Sequence, residues 1–172
     1  EGKEYTNSLW DYQKAGYELA TDTVDPLAEK GTIPNGHQDV YVYLKHQTEK
    51  KTENFSAVET ITYKYANGPH KGEQAATPYT HTINYSRSRT FDKATGKAIS
   101  NWTAWEPVEP FDPFVDVKSP EIDGYYLVHD DQSTIKAPQL TNADYQNGQK
   151  SFNYEVDYLK DGIVTIYYVD LG

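Results

Sequence analysis

A β-rich α+β fold in two units is what the sequence predicts, and three observations predict it. Apolar and polar residues alternate with a period of two in several runs, Thr60–Tyr65, Thr82–Phe91, Ser151–Leu159 and Ile163–Val169, which is the pattern of half-buried strands. Tyr is the outlying residue type, 16 of 172 against 5 Phe, and Tyr favours strands while also serving recognition surfaces. A degenerate repeat joins the two ends of the chain. Ala15-Gly16-Tyr17-Glu18-Leu19 returns as Asp123-Gly124-Tyr125-Tyr126-Leu127, and each copy leads through an acidic, polar stretch to Tyr43-Leu44-Lys45 or Tyr158-Leu159-Lys160.

The elements follow in order. Asn7 to Gly16 reads as one short helix, with Asn7 or Ser8 as its cap and Gly16 as its left-handed stop. Tyr17-Glu18-Leu19 starts a strand. Asp39 to His46 is dense in β-branched and aromatic residues and reads as another. Thr60 to Tyr65 alternates and ends at the turn pair Asn67-Gly68. Thr82 to Phe91 alternates too, but its face of Ile83, Tyr85, Arg87, Arg89 and Phe91 turns from apolar to cationic, so the strand is expected to leave the core halfway. Asp92 to Gly96 is a turn, and Lys97 to Trp105 is expected to return as the second arm of a long hairpin. Glu106 to Pro113 has Pro at every third residue and reads as an extended connection along a sheet edge. Ser151 to Leu159 and Ile163 to Val169 flank Asp161-Gly162, the strongest hairpin signal in the chain.

The polar run Gln47 to Asn54 has no apolar periodicity and sets the expected boundary. It divides a small unit, residues 1–48, from a larger one, residues 49–172. The first is short for an independent core.

Composition excludes several functions. Lys+Arg 16 against Asp+Glu 26 leaves a net charge of −10, the wrong sign for nucleic acid, whose phosphates need a Lys/Arg excess. No apolar run approaches the ~20 residues that span a bilayer, so direct membrane insertion is not expected. Cys is absent, which removes disulfides, thiolate metal sites and cysteine nucleophiles together. Met is absent as well, so the chain reads as a processed protein or an excerpt of a longer one.

Motifs for chemistry are equally thin. His37, His46, His70, His81 and His129 stand at no metal-ligand spacing. No nucleophile elbow or phosphate-binding glycine loop occurs. Glu106 with Glu109, or Asp130 with Asp131, would matter for glycoside hydrolysis only at the right separation in space. Asn142 to Gly148 has too few acidic residues for a calcium loop and reads as a turn; calcium at Asp22, Asp25, Asp130 or Asp131 stays open. The chain is therefore read as not an enzyme, with no cofactor and no metal site. What remains is aromatic surface. Trp102 and Trp105, three apart on an expected strand, would face opposite ways, and an outward ring suits the C–H face of a sugar. Trp102, Trp105 and Tyr126 are the exposed-aromatic candidates for ligand binding. The edge Val40, Tyr41, Val42, Tyr43 and Leu44 is the alternative, a protein-binding strand.

Taken together and in order, these segments resemble the mucus-binding (Mub) repeat of cell-wall-anchored adhesins from lactobacilli. The resemblance rests on Ala15 to Asp22 with Tyr41 to His46, then Glu59 to Tyr65, Arg89 to Gly96, Trp105, Ser119 to Tyr125 and Val164 to Val169. It implies two β-grasp (ubiquitin-like) type units in tandem, mixed sheets with one short helix in the first, the second unit being the mucin-binding one. It implies a non-catalytic adhesin repeat, extracellular and cell-wall-anchored within a longer chain, whose partners are host mucin glycoproteins and chiefly their glycans. An immunoglobulin-binding β-grasp module and a structural spacer repeat are the alternatives. Family members usually begin with a β-hairpin before the helix; this chain opens at or just before the helix, which leaves the completeness of the first unit open.

Overall fold

The computed structural model describes residues 2–162, 164 and 166–172. Among them are eleven strands, three short 3-10 helices and no α-helix. The chain divides into two units, Glu1–Glu53 with Arg87–Ala104 and Asn54–Ser86 with Trp105–Gly172. A single cut after residue 48 does not delimit them, because residues 87–104 fold back into the first unit. No helix among the described residues is long and apolar enough to cross a membrane.

In the first unit, β1 (Glu4–Thr6) pairs antiparallel with β3 (Lys30–Thr32), and β2 (Tyr17–Leu19) pairs antiparallel with β4 (Leu44–His46). A 3-10 turn, Pro26–Ala28, precedes β3, with the Asp25 carboxylate accepting from the Leu27 N–H. The expected helix over residues 7–16 does not form. Residues 12–16 are a tight turn instead, closed by Gly16 N–H to the Gln13 carbonyl and Tyr17 N–H to the Tyr12 carbonyl. Ten residues are too few to sustain a helix without a buried stripe, and Trp10 stays 61% exposed. Gly16 is required where it stands: its φ is +93°, and a Cβ there would lie 2.6 Å from the Lys93 carbonyl carbon. That turn is held by Lys93 N–H to the Gln47 carbonyl and by His46 Nδ1 at 2.6 Å from the Asp92 carboxylate. The bond to His46, helped by the N–H groups of Thr95 and Ala94, holds the Asp92 carboxyl below its usual range.

The expected return strand, residues 97–105, is mostly irregular. It makes one isolated bridge, Phe91 to Ala98. Hydroxyls take over backbone partners along it, with Ser100 Oγ accepting from Thr90 N–H and Thr103 Oγ1 from Ser88 N–H.

The second unit is built on β5 (Thr48–Tyr65) and β6 (Gln74–Asp92), whose outer ends run into the first unit. Its mixed sheet has five strands. β6 and β5 are neighbours, β7 (Glu106–Pro107) lies on the outer side of β6, and β11 (Gln149–Lys160) pairs parallel with β5. β9 (Tyr125–Leu127) closes the far edge by antiparallel pairing with β11. The short pair β8 (Val117–Lys118) and β10 (Thr134–Ile135) stands apart. Burial along β5 alternates cleanly, with Phe55, Ala57, Glu59, Ile61 and Tyr63 all below 4% exposed. Ile61, Tyr63, Ile135, Val156 and Tyr158 form the central cluster, packed by Val117, Ile122, Tyr125 and Leu127 from the crossover. Burial pushes the Tyr158 phenol up to about 12, so it stays protonated and donates to the Pro120 carbonyl at 2.6 Å. On β6 full burial ends at Ile83; beyond it the side chains through Asp92 are only partly covered or exposed.

Among the described residues no strand follows Asp161-Gly162: Val164 and Ile166–Val169 lie outside any strand, and β9 takes the second side of β11 at Tyr158–Lys160, beside the turn. Ile163 and Thr165, which belonged to that expected strand, lie outside the described residues.

Glu59 is the anomaly in the core. It is 0% exposed, sits between Ala57 and Ile61, pairs in register with Phe152, and neither carboxylate oxygen has a hydrogen-bond partner among the described residues. Burial pushes its pKa above the ordinary carboxylate value, with His81 acting in the opposite direction.

Two outcomes are expected. A carboxyl with a raised folded-state pKa contributes stability that is fully present below its unfolded pKa and is lost as pH rises through the folded value. Glu59→Gln should therefore leave the melting temperature near pH 4 almost unchanged and raise it at pH 7, by about 1–3 kcal/mol of unfolding free energy. A calorimetric pH series checks this. Gly16→Ala should destabilise the first unit by more than about 1 kcal/mol through its left-handed backbone and the Lys93 clash, read as faster amide exchange in β2 and β4.

Candidate functional site

The three sequence-predicted aromatics fall in three different surroundings. Trp105 joins an aromatic cluster with Phe55, Tyr85 and Tyr145, stacked on Tyr145 at 5.6 Å and 13° and tilted against Phe55 at 6.0 Å. Tyr145 is delivered by a 3-10 helix, Asn142–Asn147, fixed by a capping box between Thr141 and Asp144 and stopped by left-handed Gly148. Trp105 is thus half-buried and plugs one end of the core. Trp102 lies under the Arg87 guanidinium at 4.6 Å, and Arg87 pairs with Glu53 at 2.7 Å. Its face is taken by a cation. The two Trp do not point oppositely from one strand, because residues 101–105 form none and the period-two rule does not apply.

Tyr126 is 51% exposed on β9 and lines a shallow groove of about 430 Å³ with Glu121, Asp123 and Tyr125. The polar groups of its floor are engaged: Ser119 Oγ donates to the Gln132 carbonyl, and Tyr158 to Pro120. The groove presents two exposed carboxylates and one free ring.

A better-formed constellation lies in the first unit. Along the segment from Asp39 into β4, Tyr41 and Tyr43 line one groove, Val40 lines a second, and Val42 borders both. Tyr41 and Tyr43 stand outward, 62% and 60% exposed, their rings 6.2 Å apart and 24° from parallel. They border a groove of about 380 Å³ with Thr21, Thr23, Asp25 and Asp39. Three of the four polar wall groups, Asp25, Asp39 and Thr21, are each positioned by one bond and keep capacity for another. Asp25 Oδ1 accepts from Leu27 N–H at 3.0 Å, and Asp39 Oδ1 is 2.7 Å from His37 Nε2. Thr21 Oγ1 donates to the Thr23 carbonyl at 2.9 Å and can still accept. Two flat rings beside two carboxylates and two hydroxyls can hold a small polyol with apolar C–H faces.

Of the alternative protein-binding edge, Val40, Tyr41, Val42 and Tyr43 lie outside any strand, and Leu44 opens β4, paired with Leu19. Sequence reasoning thus named Tyr41, Tyr43 and Asp25 for different purposes and missed Thr21, Thr23 and Asp39. The Tyr-x-Tyr spacing was the available signal, since it places both rings on one face. Nothing local tied residues 21–25 to residue 39.

The chain matches the family described as Muc B2-like domain over residues 48–161. Among solved structures it is similar to the crystal structure of Mub-RV, with 25% identity and a TM-score of 0.56 over 87% of this chain and 78% of that one. The type 2 repeat of the mucus binding protein MUB from Lactobacillus reuteri is also 25% identical over the same shares, 87% and 78%, with a TM-score of 0.47. A MucBP domain from a Lactobacillus acidophilus protein is 18% identical, covering 67% of this chain and 100% of that domain at a TM-score of 0.50. A comparison with curated protein sequences finds no match.

The contrast between plug and surface ring is testable. Trp105→Ala should cost about 3–5 kcal/mol of stability, as large-to-small changes in packed aromatic clusters do, whereas Tyr126→Ala should stay within about 0.5 kcal/mol. Urea unfolding of both variants checks the order.

Proposed function

Because this chain belongs to the Muc B2-like domain family and is a mucus-binding repeat domain, we propose that it is a non-catalytic adhesin repeat displayed on a bacterial surface, anchored to the cell wall through a longer parent, which binds mucin glycoproteins through their glycans. The observation that carries the glycan reading is the pair of exposed, near-parallel rings Tyr41 and Tyr43 over a groove walled by Asp25, Asp39, Thr21 and Thr23. A sugar offers a C–H face to the rings and hydroxyls to the oxygens. Tyr126 with Glu121 and Asp123 is a second, poorer surface of the same chemistry. The carboxylates weighed for hydrolysis, Glu106 with Glu109 and Asp130 with Asp131, line none of these grooves, which supports the non-catalytic reading.

In this reading the two units are β-grasp-type modules in tandem. Support comes from the parallel pairing of β11 with β5 and from the crossover that packs on one face of that sheet. A single shallow groove binds weakly, and linked repeats raise the avidity by effective concentration.

The test is binding of the purified chain to immobilised mucin, intact and stripped of glycans, with pooled immunoglobulin in parallel. Binding to intact mucin alone is expected. The double change Tyr41→Ala with Tyr43→Ala should weaken it by about tenfold, at ~0.5–1.5 kcal/mol per ring, without lowering the melting temperature. Binding to immunoglobulin alone would move the function to protein recognition, and silence in every channel would favour a spacer.

A further inference from the structure

Two apolar surfaces of this chain each lack a partner, and they fit one another. The first is the stretch Gln38–Tyr43. It runs directly into β4, yet it belongs to no strand, and its one described backbone bond is from Ala20 N–H to the Tyr43 carbonyl. A row of backbone donors and acceptors therefore stands open, which is the template for strand addition. Val40 and Val42 border a second groove of about 400 Å³ with Tyr5, Leu9, Leu27 and Ala28, and Val42 also lines the Tyr41–Tyr43 groove. The unit around that groove is short of core: Ala28 is the one buried apolar side chain among its described residues. The second surface is the end of the chain. Ile166, Tyr167, Tyr168, Val169 and Leu171 are between 69% and 95% exposed. Consecutive apolar, β-prone residues are the pattern of a strand covered on both faces, so this exposure is costly.

We propose that Gln38–Tyr43 is a docking edge for the segment Ile166–Leu171 of a second copy of this chain, which adds as a strand and covers the Val40–Val42 groove. The match is in length and chemistry. Both stretches have six residues, about 20 Å as a strand, and the donor carries a single charge, Asp170. Added beside Gln38–Tyr43, one face of the donor supplies the apolar cover that the groove lacks. Its opposite face extends the Tyr41–Tyr43 side with further aromatic surface. Tyr41 and Tyr43 of the acceptor stretch and all five apolar residues of the donor are exposed. Such a contact is heterologous, head to tail. In a parent with copies in series, the neighbouring copy is held close and the association becomes intramolecular to the parent. The association requires no mucin, so its failure and the failure of the glycan reading are separate results.

The experiment is light scattering of the intact chain from about 5 to 500 μM, with hydrogen exchange at both ends of the range. The expected result is a mass that rises with concentration, together with exchange slowed at least tenfold in Gln38–Tyr43 and in Ile166–Leu171. Tyr167→Asp with Val169→Asp, both at exposed positions on the donor's wholly apolar face, should hold the chain monomeric with an unchanged melting temperature. A peptide of residues 163–172 should then protect Gln38–Tyr43 of that variant. A monomer at every concentration with Gln38–Tyr43 unprotected overturns the proposal. So does protection of both segments in a monomer independent of dilution, which would mean closure within one chain, and so does association that survives the double change.

Discussion

Ten consecutive residue pairs join Gln149–Tyr158 to Ser56–Tyr65 in parallel, and the second unit depends on that pairing. Parallel neighbours cannot be joined by a tight turn, so the chain between them must travel and return to the same end. The returning chain is put to use: Val117, Ile122, Leu127 and Ile135 pack on Ile61, Tyr63, Val156 and Tyr158 from that crossover. One face of the sheet is thereby dry and the other faces water. The alternation along β5, buried at odd positions from Phe55 to Tyr63, is the direct consequence. So is the position of Glu59, which register places on the dry face among apolar neighbours. The polar end of the crossover contributes its own locks, the Thr141–Asp144 capping box before β11 and the Tyr158 hydroxyl on the Pro120 carbonyl.

The first unit is held differently. Its strands are three residues long, its apolar burial is small, and specific polar contacts do much of the positioning. His46 with Asp92, Gln47 with the Tyr17 carbonyl, and Gly16 under Lys93 fix the turn around β2 and β4. Thin cores leave side chains at the surface, and here those side chains are Tyr41 and Tyr43. The same poverty of burial leaves both a groove beside Val40 and Val42 and the two exposed rings on one segment. Tyr suits this arrangement because its ring tolerates both water and apolar contact.

Aromatic residues illustrate how surroundings decide role. Trp105, Tyr85, Tyr145 and Phe55 share one cluster and serve packing. Trp102 is covered by Arg87. Tyr126, Tyr41 and Tyr43 keep free faces. Identical residue types in similarly alternating sequence end in three environments, because neighbours distant along the chain close over some and not over others.

The sequence by itself determined which residues are strand-like, which face each would turn, and which chemistries are missing. β2 and β11 lie where the strand signals place them, and the alternating runs Thr60–Tyr65 and Thr82–Phe91 fall inside the longer β5 and β6, although β5 already begins at Thr48 in the polar run read as a boundary. The loss of apolar character after Tyr85 marks where β6 leaves the core, and the order of motifs is enough to resemble the mucus-binding repeats. These features are legible because side-chain periodicity is a local property. Only the tertiary structure decided partners. After the Asp161-Gly162 turn signal the place beside Tyr158–Lys160 is taken by β9, and the helix at residues 7–16 was lost for want of a surface to bury its face. Thr21, Asp25 and Asp39 meet at the Tyr41–Tyr43 groove for the same reason that Glu59 meets Phe152: long-range packing brings them together, and no local pattern encodes it.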